Sequence, residues 1–316
     1  MIHVEPSIKG RILRKKLSKR KGTLSMEHVL ITGGAGFIGS HLAEYHLKKG
    51  DSVWVFDSLL SVDLQNLSSF LSHSNMRFDK ADVRETPLLQ EAVEWSDRIY
   101  HMAAVVGMQQ VLSHPTETLS NNIGCCEKVL QALCKTTKKT KILIASSSEV
   151  YCHNLLQEGE SLSETATLGI PSGKFLQETY RLSKIVNEVM ALSHGYQNNL
   201  HCTIARLFNT TGIRQTGRYG MVVPSFIKQA LQENPITVYG DGSQTRSFCN
   251  VHDTVKELDL LLSHPKSRGE IFNIGKDEEC SILELAYKVQ KKNKDLFKNS
   301  ISQLQRSLWC GFCRYC

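Results

Sequence analysis

From residue 28 onward, short apolar runs alternate with longer stretches in which apolar positions recur every three or four residues. "HVLITG" (28–33), "SVWVFD" (52–57), "MRFDKADV" (76–83), "RIYHMAA" (98–104) and "KILIASSS" (141–148) read as strands. Between the first two, "FIGSHLAEYHLKKG" sets Phe37, Ile38, Leu42, Tyr45 and Leu47 on the buried face of a helix that Gly50 closes. Further helical stretches fall near 86–94 and 116–134. Strand and helix repeated in this way predict a parallel sheet covered on both faces, because right-handed crossovers place helices there. The expected fold is therefore α/β, a doubly wound sheet of Rossmann type over residues 26–205.

After about residue 205 the rhythm changes. "GMVVPSFIKQALQENP" reads as a helix, "ITVYGDG" as a strand with a turn, "VHDTVKELDLLLSH" as a helix and "EIFNIG" as a strand. Ser281 and Glu284 form a capping box opening a helix that buries Ile282, Leu285, Ala286 and Val289. Residues 206–290 are expected to be a smaller lobe closing over the carboxyl ends of the strands, where ligands bind in such folds. Residues 291–316 show no comparable pattern.

Composition narrows the function classes. With 41% apolar and 22% charged residues in 316, the chain is globular. No run approaches the roughly 18 apolar residues of a membrane span, and no apolar leader opens the chain, so no membrane partner and a cytoplasmic location are expected. The net charge of +7 suggests nucleic acid until it is located. Residues 1–25 hold eight Lys/Arg against Glu5, whereas residues 26–290 hold 24 basic and 29 acidic groups. The basic charge is an N-terminal extension ahead of Met26, the body is mildly acidic, and nucleic acid is not expected as a partner. Ten cysteines are read as reduced thiols. The terminal "CGFCRYC" offers three thiols and no fourth ligand, so no metal is expected.

The chemistry starts at "VLITGGAGFIGSHL". A glycine loop that follows a strand and opens a helix fits a dinucleotide pyrophosphate: Gly33 permits the tight turn, Gly36 the backbone approach and Gly39 the close packing of helix on strand. Asp57 ends the second strand, where its carboxylate can accept both ribose hydroxyls of an adenosine and would repel a 2′-phosphate, which points to NAD. Farther on, "YRLSK" places Tyr180 and Lys184 on one helical face. An ammonium beside the phenol is expected to lower its pKa, so that Tyr180 takes a proton from an alcohol while NAD takes the electrons. "IASSS" supplies a hydroxyl at the carboxyl edge of the sheet to share that proton.

Together "TGGAGFIG", "DV" (82–83), "HMAA", "SSSEVY", "YRLSK", "RLFNTTG" and "VYGDGSQTRSF" resemble the extended short-chain dehydrogenase/reductases, and among them the NAD-dependent epimerase/dehydratase family acting on nucleotide sugars, over about residues 26–290. The resemblance implies that Gly33, Gly36, Phe37 and Ile38 hold the pyrophosphate, Asp57 the ribose, and Asp82 and Val83 the adenine, with Ala103 and Asn122 lining the nicotinamide side. It implies Ser147, Tyr180 and Lys184 as the catalytic set, with Lys184 also reaching the nicotinamide ribose, and Asn209, Val223, Tyr239 and Arg246 as the holders of the nucleotide diphosphate. The implied reaction oxidises the sugar C4 hydroxyl, and the fate of the ketone sets the product. The expectation is a UDP-sugar 4-epimerase acting as a homodimer. A UDP-glucuronate decarboxylase is the alternative, favoured by Glu149 next to the catalytic hydroxyl.

Three departures from the family pattern bear on activity. Cys152 and Cys125 stand where glycines are usual, Met26 stands where such chains begin, and the sequence after residue 290 shows no pattern of the further strands and helices that complete the sugar lobe and bring basic residues to the substrate. An inactive, truncated NAD-binding homologue is the reading these departures support.

Overall fold

The computed structural model describes residues 26–151, 162–170, 176–217 and 220–296; the basic extension, Cys152 and the "CGFCRYC" tail lie outside them. In chain order the strands are β1 (His28–Thr32), β2 (Ser52–Asp57), β3 (Met76–Lys80), β4 (Arg98–His101), β5 (Lys141–Ser147), β6 (His201–Leu207), β7 (Asn209–Thr211), β8 (Thr245–Asn250), β9 (Ile271–Ile274) and β10 (Glu279–Ser281). The helices are α1 (Phe37–Lys49), α2 (Leu89–Trp95), α3 (Met108–Ser113), α4 (Pro115–Lys135), α5 (Thr179–Gln197), α6 (Val222–Leu231), α7 (Val251–Ser263) and α8 (Ile282–Leu296).

Among the described residues, seven strands form one sheet in the order β3-β2-β1-β4-β5-β6-β9, every pair parallel. The two-residue period of the apolar runs sorts them between its faces. Val29, Ile31, Val53 and Val55 pack with Leu42 of α1 and with Val251, Val255 and Leu258 of α7. Leu30, Trp54 and Phe56 pack on the other side with Val93 of α2 and Val129 and Leu133 of α4, alongside Ile142, Ile144 and Cys202. Strand order reverses between β1 and β4, so a crevice opens at their carboxyl ends, immediately at the glycine loop.

Part of residues 206–290 returns to the main sheet. β9 lies beside β6 in the main sheet, and α7 covers that sheet next to α1. Asp259 of α7 makes the attachment polar as well as apolar: it accepts from Arg98 Nη1 at 2.9 Å, Lys49 Nζ at 3.0 Å and Tyr45 Oη at 3.1 Å. The smaller lobe is what remains: β7, β8 and β10 in a three-stranded sheet, with α6 and α8 packed through Phe226, Phe248, Ile282, Leu285 and Val289. "ITVYGDG" is not a strand. Gly240 and Gly242 take left-handed φ of 70° and 73°, and the Thr237 N–H is bonded by the Gln229 side chain rather than by a neighbouring strand. The Ser281 cap is present, its hydroxyl accepting from the Glu284 N–H at 3.0 Å, and all four apolar residues expected behind it are buried. The helix it opens continues through Leu296, past the boundary expected at 290.

Candidate active site

The glycine loop is built by close approach. Gly33, at a left-handed φ of 70°, donates its N–H to Phe56 O at 2.8 Å, and a Cβ there would lie 2.6 Å from Ala103 N. A Cβ on Gly39 would run into Gly33 O and come within 2.8 Å of Gly34 Cα. Gly36 is the N-cap of α1, with no capping side chain and no acidic residue in the first turn. The positive helix end beside Phe37 and Ile38 is thus left to an external anion, as a pyrophosphate requires. A Gly39→Ala substitution is expected to introduce about 1–3 kcal/mol of overpacking at the loop and to weaken NAD binding by tenfold or more, read by calorimetric titration.

Asp57 Oδ2 accepts from Ala35 N at 3.0 Å and Oδ1 from Leu59 N at 2.9 Å, so the carboxylate braces the loop from the end of β2. Burial pushes its carboxyl up, while the N–H groups of Leu59, Ala35 and Gly36 pull it down. Each oxygen keeps a lone pair for a ribose hydroxyl. Asp82 is already paired: Arg84 approaches it through Nε at 3.0 Å and Nη2 at 2.5 Å, and holds its carboxyl below the ordinary range. Val83 is 4% exposed and its side chain belongs to the core, which leaves its backbone to face an adenine. Asn122 fastens the opposite wall, its Oδ1 accepting from Val105 N at 2.7 Å and its Nδ2 donating to Val105 O and to Ser183 Oγ. That bond holds the chain after β4, including Ala103, against Gly33. A cradle that admits no Cβ, an uncapped helix end and a bracing carboxylate fit NAD.

The reacting groups come from β5 and α5. Ser147 ends β5 and is hydrogen-bonded to the half-buried Tyr180. Lys184, one turn farther along α5 and buried, donates from Nζ to Ala145 O at 2.8 Å and lies 5.7 Å from the centroid of the Tyr180 ring. The structure corrects the expected direction of the phenol's shift. Burial pushes Tyr180 up to about 12, the Ser147 bond draws it down, and the Glu149 charge raises it further. Lys184 Nζ points to β5 beneath the ring rather than to the hydroxyl, so Ser147 supplies the stabilising contact. Burial also lowers Lys184 to about 8, against the raising effects of Cys126, Glu188 and Cys125.

His101 at the end of β4 was not singled out by sequence reasoning beyond its place in "HMAA". Its Nδ1 pairs with Thr32 Oγ1 at 2.8 Å, and burial together with the Lys184 charge pushes it down to about 3, keeping the imidazole neutral. Glu149 stands at the rim. Arg181 donates from Nε to its backbone carbonyl, and Arg181 Nη2 lies 3.9 Å from its carboxylate, which is 56% exposed.

The expected substrate residues sit on the smaller lobe. Asn209 opens β7 and donates from Nδ2 to Ser247 O at 3.3 Å; Arg246 on β8 is exposed and donates from Nη1 to Thr245 O at 2.8 Å. Tyr239 is 83% exposed on the loop before β8. The Val223 side chain is 2% exposed within the lobe core, so its backbone, in the first turn of α6, is the part placed for an anion.

Comparison with known proteins follows the same geometry. Residues 29–275 match the family described as "NAD dependent epimerase/dehydratase family". The chain is 35% identical over 263 residues to a UDP-N-acetyl-alpha-D-glucosaminuronate decarboxylase of Bacillus cytotoxicus, covering 83% of this chain and 79% of that protein. It is 36% identical over 273 residues to UDP-glucuronic acid decarboxylase 2 of Arabidopsis thaliana, covering 86% of this chain and 58% of that one. Among solved structures, UDP-glucuronic acid 4-epimerase from Bacillus cereus, in complex with UDP-glucuronic acid and NAD, superposes with a TM-score of 0.75 at 29% identity, covering 84% of this chain and 83% of that one.

Proposed function

The chain belongs to the NAD-dependent epimerase/dehydratase family, and from that premise we propose that it is a decarboxylase of a UDP-hexuronate, with UDP-glucuronate as the first candidate. The observation that carries this reading is Glu149 held by Arg181 beside the Ser147–Tyr180 pair, in a chain whose similar curated relatives bear decarboxylase names. The 4-epimerase expected from the sequence becomes the second reading, supported by the Bacillus cereus structure at lower identity.

Bound NAD would supply the two-electron acceptor, held by the loop of Gly33, Gly36 and Gly39, by Asp57, and by the wall that Asn122 fastens. The chain's own residues handle the protons. Tyr180 acts in its phenolate form, whose charge the Ser147 hydroxyl and the Lys184 ammonium beneath the ring offset, and becomes neutral as it takes the proton of the sugar C4 hydroxyl. Once C4 is a ketone, the C5 carboxylate is in the β-keto position. Its C–C bond breaks, carbon dioxide leaves, and the electron pair passes into the C4–C5 enolate, whose oxygen Ser147 and Tyr180 stabilise by hydrogen bonds. Glu149, exposed at the rim, relays a proton from water to C5, and Tyr180 returns its proton to O4 as the ketone is reduced again. Arg246 and Asn209 anchor the diphosphate, a charge-assisted role suited to a guanidinium.

The test is incubation with UDP-glucuronate, UDP-glucose and UDP-N-acetylglucosamine, with released carbon dioxide and sugar products followed by mass spectrometry. Carbon dioxide and a UDP-pentose support the decarboxylase; an epimer at constant mass supports the second reading. A Glu149→Gln variant is expected to slow carbon dioxide release by about tenfold or more while reduced nicotinamide still forms, so that its absorbance accumulates.

A homodimer is part of this proposal. Leu182, Val189 and Tyr196 recur every seven residues along α5 and are 36%, 60% and 91% exposed, an apolar stripe on a helix long enough to pair with its copy. Val189→Glu is expected to shift the protein to monomer in sedimentation velocity; an unchanged dimer would place the interface elsewhere. Among the described residues, no helix is long and apolar enough to cross a membrane.

A further inference from the structure

Three side chains one turn apart on α5, Tyr180, Lys184 and Glu188, meet three consecutive residues at the end of β5. Tyr180 pairs with Ser147, Lys184 Nζ donates to Ala145 O, and Ser146 Oγ donates to Glu188 Oε1 at 2.5 Å. The first two contacts belong to the proton-transfer site; the third does not. Glu188 is 2% exposed, as is its partner Arg206 on β6. Arg206 grips the carboxylate with Nε to Oε1 at 2.9 Å and Nη2 to Oε2 at 2.7 Å. Its remaining nitrogen, Nη1, donates to Tyr151 Oη at 2.9 Å and to Glu164 O at 3.0 Å. Tyr151 in turn donates to Asn273 Oδ1 of β9 at 2.6 Å, and Asn273 returns bonds to Glu164 Oε1 and Leu162 O. One buried polar network therefore runs from under the catalytic helix, across β6 and β9, to the segment around residues 162–164.

We propose that Glu188 is a positioning residue of the reaction: it sets the register of α5 on β5 and supplies the negative charge that keeps the Lys184 ammonium protonated while Tyr180 moves its proton. An apolar pair would fill the same space without the desolvation penalty of two buried ions. The surroundings of Lys184 show why a charge is used. Facing it are Cys125 and Cys126 from α4, His101 from β4, and Tyr180 and Glu188 from its own helix. Burial pushes both thiols up to about 12 and His101 down to about 3, so all three are neutral at neutral pH. Tyr180, up at about 12, is neutral as well. Among these groups Glu188 alone offers a carboxylate, and the Arg206 fork and Ser146 hold it in place.

The proposal rests on the proton-transfer reading of Tyr180 and Lys184, and its test is separable from the choice of sugar. In the full chain, labelled with 13C-lysine and assigned with Lys184→Arg, the Cε signal of Lys184 is titrated by NMR. Wild type is expected to turn near pH 8. Glu188→Gln, which keeps the shape and removes the charge, is expected to lower that midpoint by about one pH unit and to move the pH at which kcat levels off with it. A superimposable titration overturns the proposal, whereas absence of turnover in wild type would sink the functional reading alone. Should Glu188→Gln not fold, Ser146→Ala decides, because it leaves the ion pair intact. It is expected to lower kcat about tenfold or more at constant KM, the effect of one lost hydrogen bond to a charged group, and an unchanged kcat overturns the proposal.

Discussion

Replacing Tyr180 by phenylalanine is expected to lower turnover by about a hundred- to ten-thousand-fold while NAD is still bound. The ring stays to pack over Lys184, and the only atom lost is the oxygen that pairs with Ser147. The electrostatics specify the pH behaviour around this variant. Burial holds Tyr180 near 12 and lowers Lys184 to near 8, so the phenolate that acts as base becomes more abundant as pH rises, while the ammonium that stabilises it is lost above about pH 8. Wild-type turnover is therefore expected to rise with pH up to that value and to level off above it, where each gain in phenolate is offset by loss of the ammonium. Residual activity in Tyr180→Phe should be slow across the whole range. Turnover surviving at the wild-type rate would exclude Tyr180 as the base.

The second large effect concerns stability. Arg206→Leu is expected to destabilise the fold by about 3–5 kcal/mol, measured as a lower urea midpoint at unchanged slope. Its guanidinium is the bidentate partner of a carboxylate that is itself buried, and its removal leaves Glu188 in the core with Ser146 as the hydroxyl donor that remains. The double variant Glu188→Leu with Arg206→Leu should recover part of that loss, since an apolar pair carries no desolvation penalty. It should not recover activity. Stability without turnover in the double variant separates what the ion pair does for the fold from what it does for Lys184.

Much of this was legible in the chain because local patterns carried it. The two-residue period of "HVLIT" and "SVWVF" places Val29 and Val53 on one face of the sheet and Leu30 and Trp54 on the other, as found. The glycine spacing predicted a cradle, and the contacts around Gly33 and Gly39 show why no side chain fits there. What failed depended on partners distant in sequence. Nothing in "EIFNIG" tells whether the strand joins a small lobe or returns to the main sheet beside β6; pairing with Ile204–Leu207 decides that. The run "ITVYG" has strand-like residues but no strand beside it. The spacing of Tyr180 and Lys184 puts them on one face without saying where the ammonium turns, and Ala145 O takes it. Val83 and Val223 stand at positions the resemblance names, and the sequence does not tell that their side chains fill cores; only the packing shows it. Glu188 continues the same four-residue spacing in plain view, yet a glutamate on a helix is ordinarily solvated, and only the buried position of Arg206 reveals its partner.

Incubating the purified chain with NAD and UDP-glucuronate, and measuring carbon dioxide release together with the absorbance of reduced nicotinamide, probes proton transfer at C4 most directly. The account predicts carbon dioxide and a UDP-pentose from wild type and neither from Tyr180→Phe. Carbon dioxide released equally by both proteins, or none from wild type, would contradict it.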